Sequence, residues 1–178
     1  MAVFDTALGP CAFAWGDAGV VGVQLPEGDA FHTLRRLARR FPDAAEHAVP
    51  ATLQDAMAGI VALLAGGSDD LAHVGLDMTG VPAFHRRVYA LARAISPGAT
   101  STYGEIASRL GNPLLAREVG QALGGNPFPI VVPCHRVLAA GGRMGGFSAP
   151  GGVDTKRRML EMENAAAVAQ RSLFDCEG

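Results

Sequence analysis

The sequence predicts a two-part chain: an N-terminal α/β domain with a small antiparallel sheet, then a mostly α domain that carries a helix-turn-helix. Three observations predict it. Short apolar runs cut by turn residues crowd the N-terminus ("MAVFDTAL", "CAFAWGD", "VVGVQL"). Helical periodicity takes over downstream. The charge also changes sign: residues 1–78 hold 4 Arg/Lys and 10 Asp/Glu (−6), residues 79–178 hold 11 and 7 (+4), and the two sum to the net −2 of the chain. The expected domains are therefore 1–78 and 79–165, with 166–178, Cys176 included, as a frayed tail.

Taken in order, Gly9-Pro10 and Asp17-Ala18-Gly19 break the apolar runs where tight turns would join successive strands. "DAFHTLRRLARRF" is a helix with Phe31, Leu34, Leu37, Ala38 and Phe41 on one stripe and Arg35, Arg36, Arg39 and Arg40 mostly off it. Asp29 caps its start and Pro42 stands just past its end. "ATLQDAMAGIVALLAGG" is a second helix, closed by Gly66-Gly67, and "HVGLDM" reads as a further strand. "PAFHRRVYALARAI" places Phe84, Val88, Leu91, Ala92 and Ile95 on one helical face. After the turn "SPGATS" come a short helix, "TYGEIASRL", and a longer one, "PLLAREVGQAL". In "GNP" between them, Gly111 supplies the left-handed residue, Asn112 the next cap and Pro113 the first helical position. Two helices so joined resemble a helix-turn-helix. Leu115, Val119, Ala122 and Leu123 form the buried stripe of the second. Arg117, two residues from Val119, lies roughly 200° around the helix and faces outward. A last helix, "DTKRRMLEMEN", starts with Asp154 or Thr155 as cap and buries Met159, Leu160 and Met162.

Composition narrows the function classes. The chain has 178 residues, 49% hydrophobic, enough for a real core. Three scattered cysteines make no disulfide framework and suit a reducing cytoplasm. No signal segment and no membrane-spanning apolar run is visible, so no membrane partner is expected. The positive second half points to a polyanion. Cys11, His32, His47 and His73 lack ligand spacing, so no metal is expected, and no cofactor.

One cysteine stands in an unusual context. In "NPFPIVVPCHRVLAAGG" an apolar run passes through Pro133 into Cys134, His135 and Arg136. A free thiol is only about a few per cent ionised at neutral pH, so reactivity needs a base or nearby positive charge. Adjacent side chains of an extended segment point to opposite faces. Cooperation between Cys134 and His135 therefore calls for a bridging water or a turned backbone. A base is oriented by a third group, and Glu163 is the candidate.

"PCHRV" (133–137), preceded by "GNPFPIVV", followed by "GGFSAPGGVDTKRRML" and joined to the upstream "SPGATSTYGEIASRLGNPLLAREVGQALGGNP", resembles the O6-alkylguanine-DNA alkyltransferases, or methylated-DNA–protein-cysteine methyltransferases. The resemblance is ordered from about Val81 to Glu163. It implies a ribonuclease H-like N-terminal domain and a winged helix-turn-helix-like motif. The implied activity is DNA repair by irreversible, single-turnover transfer of an alkyl group from O6-alkylguanine to Cys134. His135 would act as base through a water, with Glu163 behind it. Arg117 would enter the duplex in place of the flipped base, and Ala116, Gly120 and Gln121 would lie along the minor groove. Tyr103 would press on the phosphate beside the target and protonate the departing guanine. Asn126 would be a hinge. Pro129, Val137, Phe147 and Ser148 would line the guanine pocket. The partner would be double-stranded DNA containing O6-alkylguanine, bound by a monomer that can assemble cooperatively, in the cytoplasm. Tyr89 stands where the family often has tryptophan.

Two other readings compete. A non-catalytic binder of alkylated DNA, or a regulator, would use the helix-turn-helix alone and would need none of Cys134, His135 and Glu163. A cysteine hydrolase would need an oxyanion hole and turnover, and only Cys-His suggests it.

Overall fold

The structure, a computed structural model, describes residues 1–165. The expected tail lies outside the described residues. The chain divides into two compact units: Met1–Gly80 with Pro127–Val131, and Val81–Asn126 with Val132–Gly178. Among the described residues no helix is long and apolar enough to cross a membrane.

The first unit is built on a three-stranded antiparallel sheet, β1 (Ala2–Phe4), β2 (Cys11–Gly16) and β3 (Gly19–Gln24), in the order β1-β2-β3. The pairing of β2 with β3 slips between Ala14 and Trp15. Helix α1 (Ala30–Arg40) starts where the Asp29 side chain accepts from the His32 N–H and ends at Phe41. Its stripe residues Leu34, Leu37 and Ala38 pack with Met1, Ala12 and Ala14 of the sheet. Gly22 has to be glycine for space: a Cβ there would fall 2.4 Å from the Phe41 ring. Helix α2 (Ala51–Leu64) buries Ala56, Ile60, Leu63 and Leu64.

The segment "HVGLDM" does not form the expected strand. It makes one parallel bridge, Val20 to Leu76, held by Val20 N to Gly75 O (3.0 Å) and Asp77 N to Val20 O (2.8 Å). The Asp77 carboxylate then accepts from the Thr79 N–H, a local turn that leads the chain away before a second pair forms. The returning segment Pro127–Val131 lies beside β3, where Val23 N donates to Pro127 O at 2.8 Å.

The second unit is mostly helical. Helix α3 (Ala83–Arg93) buries Val88, Tyr89 and Ala92. A two-residue strand β4 (Ser101–Thr102) leads into α4 (Tyr103–Arg109). Thr102 and Glu105 form a capping box there, each satisfying a backbone N–H of the other. The helix ends in a Schellman motif: Gly111, at φ +95°, donates to Ser108 O and Asn112 to Ala107 O. The next helix begins differently from its expectation. Residues Pro113–Leu115 form a 3₁₀ turn, and α5 proper runs Ala116–Gly124. The cause is local: Asn112 accepts from Leu114 N through its side chain and from Leu115 N through its carbonyl, which closes a tighter turn. Strand β5 (Val137–Leu138) pairs parallel with β4.

The last helix, α6 (Gly152–Met162), also starts earlier than expected. Gly151, at φ +77°, is the cap residue, and Thr155 Oγ1 donates to Pro150 O instead of capping. Met159 and Leu160 are buried as expected, and Met162 is half-buried. Tyr89, at the position the family often gives to tryptophan, donates its hydroxyl to Ala122 O at 3.0 Å in the core, which ties α3 to α5.

Candidate active site

Pro133 turns the chain at the cysteine. Its φ of −79° and ψ of 66° are those of an inverse γ-turn, closed by Cys134 N to Val132 O at 2.8 Å. Cys134–Arg136 then form one 3₁₀ turn. The backbone is therefore turned, so Cys134 and His135 escape the opposed directions of an extended strand.

All three residues of the turn are buried, His135 and Arg136 to 1% exposure or less. Behind them Glu163, the residue that closes α6, gathers four donors, the most distant being Gly98 N at 3.4 Å from Oε2. His135 Nε2 lies 2.9 Å from Oε1, Arg136 Nη2 2.8 Å from Oε1, and Arg136 Nε 2.9 Å from Oε2. Arg136 Nη1 donates to Ile95 O at 2.6 Å. Burial opposes the charge on Glu163, but the bonds from His135 and Arg136 outweigh it and hold the carboxyl down at about 2. Burial pushes His135 the other way, below its ordinary value, against the pull of Glu163. A carboxylate only accepts, so the neutral imidazole carries its proton on Nε2 and leaves a lone pair on Nδ1. Nδ1 has no hydrogen-bond partner among the described residues.

Burial pushes the Cys134 thiol up, opposed by a hydrogen bond from Asn126, the charge of Lys156 and two backbone N–H groups. Cys134 is thus a thiol at rest, with donors and a cation beside it that offset part of the cost of burying its anion. Cys11, by contrast, is sunk in the first unit and pushed up to about 11 by burial.

A cavity of about 470 Å³ opens on Cys134, lined by Tyr103, Gly120, Leu123, Gly124, Gly146, Phe147 and Ser148. That volume suits a small-molecule site. The phenol of Tyr103 is held above its usual range by burial and then by the charge of Cys134, so it keeps its proton at neutral pH. Ser148 Oγ donates to Gly124 O at 2.8 Å and joins the loop to the end of α5. Among the described residues no three His, Cys, Asp or Glu side chains converge as a metal site.

Of the residues expected to act, Cys134, Tyr103, Gly120, Phe147 and Ser148 meet at the cavity. His135 and Glu163 stand behind Cys134. Asn126 Nδ2 donates to Val132 O at 2.8 Å, across the segment that leaves and re-enters this unit. Ala116, Arg117 and Gln121 lie elsewhere on α5; Arg117 and Gln121 are exposed and Ala116 is half-buried. Val137 is fully buried in β5 and does not line the cavity. Pro129 belongs to the segment that joins the first unit.

The sequence assigned no role to Arg136 and Lys156, both buried, and did not place Leu123 at the cavity; Gly146 was expected in a loop over the base and Gly124 among the small residues of the second helix, and both line the cavity. A signal for Lys156 was present: positions 156, 159, 160 and 163 share one helical face, so Lys156 and Glu163 ride the apolar stripe.

A family model described as 6-O-methylguanine DNA methyltransferase, DNA binding domain, matches residues 83–165. A methylated-DNA–protein-cysteine methyltransferase of Mycobacterium tuberculosis is 38% identical over 150 residues, which cover 83% of this chain and 88% of that protein. The crystal structure of the Mycobacterium tuberculosis O6-methylguanine methyltransferase is similar with a TM-score of 0.74 at 33% identity, covering 98% of each chain. Mycobacterium tuberculosis OGT in complex with DNA gives 0.71 at 31% identity, covering 94% of this chain and 96% of that one.

Proposed function

The chain belongs to the methylated-DNA–protein-cysteine methyltransferase family, and on that premise we propose how its own residues carry out the reaction. It is a DNA repair protein that moves the alkyl group of O6-alkylguanine in DNA to its own cysteine, once per molecule. The observation that carries the assignment to Cys134 is the buried sequence of contacts behind it, Glu163 to His135, beside the one thiol among the described residues that opens on a cavity.

Glu163 holds the Nε2–H tautomer of His135, so Nδ1 is the base. The thiol proton passes to Nδ1 through a bridging water. Sγ then bonds to the alkyl carbon as the O6–carbon bond breaks, and the electron pair stays with the guanine. Tyr103, protonated and at the cavity wall, returns a proton to the leaving base. The product is a thioether, which nothing in the site can hydrolyse, so the protein acts once. A pure binder of alkylated DNA would need neither the thiol nor the buried pair behind it.

The reactive carbon is out of reach in a stacked duplex, so the nucleotide must be extruded, at a cost of about a few kcal/mol. The exposure of Arg117 near the start of α5 supports its assignment as the side chain that fills the vacated place. Ala116, Gly120 and Gln121 on the same helix would lie along the minor groove, where little sequence is read. Phe147 and Ser148 would hold the base. Tyr103 would also press on the phosphate beside the target, and Asn126 would act as the hinge at Val132. The Schellman turn between α4 and α5 supports a helix-turn-helix, which would be of winged type, and the β1-β2-β3 sheet with α1 supports a ribonuclease H-like first domain. The two domains would be 1–78 and 79–165, in a cytoplasmic monomer.

The test is Cys134→Ser with a duplex containing O6-methylguanine. Retained binding without methyl transfer is expected. Loss of binding together with transfer would assign Cys134 a structural role instead.

A further inference from the structure

Lys156 is the only lysine in the chain; the other 14 of its 15 basic residues are arginines. It is also fully buried, on α6. Nζ donates to Val137 O at 2.7 Å, directly after the turn that carries Cys134. The same Nζ stands 5.9 Å from the centroid of the Tyr103 ring, which lines the cavity with Cys134. No carboxylate lies within ion-pair distance of it among the described residues. A buried cation without an anion is costly.

We propose that Lys156 is the counter-charge of the Cys134 thiolate, present only while the sulfur is unalkylated. This rests on the alkyl-transfer reading above. Lys156 acts through Cys134 and touches no substrate atom. It favours the anion that forms when the thiol proton leaves for His135, before Sγ bonds to carbon. Once the thioether forms, the anion is gone for good and the cation is left alone. Lysine rather than arginine fits this role, because a lysine can give up its proton when its partner disappears and an arginine cannot. Burial draws Lys156 down to about 8 and the charge of Cys134 pulls it back up. The groups that face it are Cys134 and His135 from the turn and Tyr103 from α4; on its own helix Asp154, Arg157 and Arg158 are exposed.

Two titrations on the full chain test this. In the first, the rate of Cys134 alkylation by iodoacetamide is followed against pH in the wild type, Lys156→Met and Lys156→Arg. The methionine variant is expected to titrate at higher pH and to react on the order of tenfold more slowly at neutral pH, with the arginine variant restoring the lost rate. An unchanged midpoint in Lys156→Met overturns the proposal, because a merely structural lysine would alter the folded fraction and not the midpoint. The second needs no change at Lys156. With ¹³C-lysine labelling the chain gives a single lysine signal, and its midpoint is expected to fall in Cys134→Ser relative to the wild type. Equal midpoints overturn the proposal. Neither titration uses an alkylated base, so failure of the repair reading would show separately, as no transfer from free O6-benzylguanine.

Discussion

Replacing Glu163 by glutamine removes the charge that three buried N–H groups share, and the size of the effect follows from the contacts. His135 Nε2 and Arg136 Nε and Nη2 all lie within 2.9 Å of the carboxylate. An amide can accept at one oxygen only, and its NH₂ would face a donor. Arg136 would keep Ile95 O and at most a share of the amide oxygen, a guanidinium left without its anion in the core. Breaking a buried pair in this way costs about 3–5 kcal/mol. The depression of the Glu163 carboxyl by the same contacts gives a scale of similar size. The carboxyl sits at about 2 against an ordinary 4.5, and at about 1.36 kcal/mol per decade the gap is roughly 3 kcal/mol. The second consequence is chemical. Without the carboxylate, Nε2–H is no longer enforced, and the tautomer with a proton on Nδ1 cannot take the thiol proton. Loss of a general base typically slows a step about 10²- to 10⁴-fold. The assay is urea unfolding for stability and single-turnover transfer from free O6-benzylguanine for chemistry, with the rate corrected for folded fraction. A loss under about 1 kcal/mol together with a rate within threefold of wild type would refute the reasoning.

Two further predictions concern DNA and acid. Arg117→Ala should slow repair in a duplex far more than transfer from free O6-benzylguanine, because its side chain is exposed and away from the cavity; equal losses in the two assays would remove it from the flipping step. Stability should fall in two stages as pH drops. His135 is held below its ordinary value by burial, so the unfolded chain takes up a proton that the folded one refuses, and stability declines once pH falls below about 6.5. Glu163 is depressed, so its contribution is complete above about 4.3 and is lost as pH falls toward its folded value of about 2. Urea midpoints measured from neutral pH to pH 3 should decline across both windows, and a flat profile would contradict the buried pair.

Much of this molecule was legible as periodicity and punctuation. Asp29 and Pro42 marked α1, Gly111-Asn112-Pro113 marked the turn between α4 and α5, and the alternation of apolar runs with Gly turns gave the three-stranded sheet. These signals are local, and local hydrogen bonds fix them. The rest depends on contacts distant in sequence. β4 and β5 are two residues each, too short for any pattern, and they pair across more than thirty positions. Nothing in "PFPIV" says that it returns to the first unit. Of the site, the thiol, the imidazole and the carboxylate were readable from the family resemblance and from the chemistry a thiol requires. Arg136 was not, and Lys156 was marked only by its place on the apolar face of α6, because a charged residue is read as solvent-facing unless its partner is known. Each is buried here because a partner meets it, Glu163 for Arg136 and the Val137 carbonyl for Lys156.

The claim on which the account turns is that the sulfur of Cys134 takes carbon from an extruded guanine, one time only. It is tested most directly by mass spectrometry of the digested protein after incubation with excess duplex containing O6-methylguanine. The peptide carrying Cys134 should gain the mass of one methyl group, no other peptide should, and guanine should be restored in equal amount. A methyl group on another residue, or more guanine restored than protein present, would contradict it.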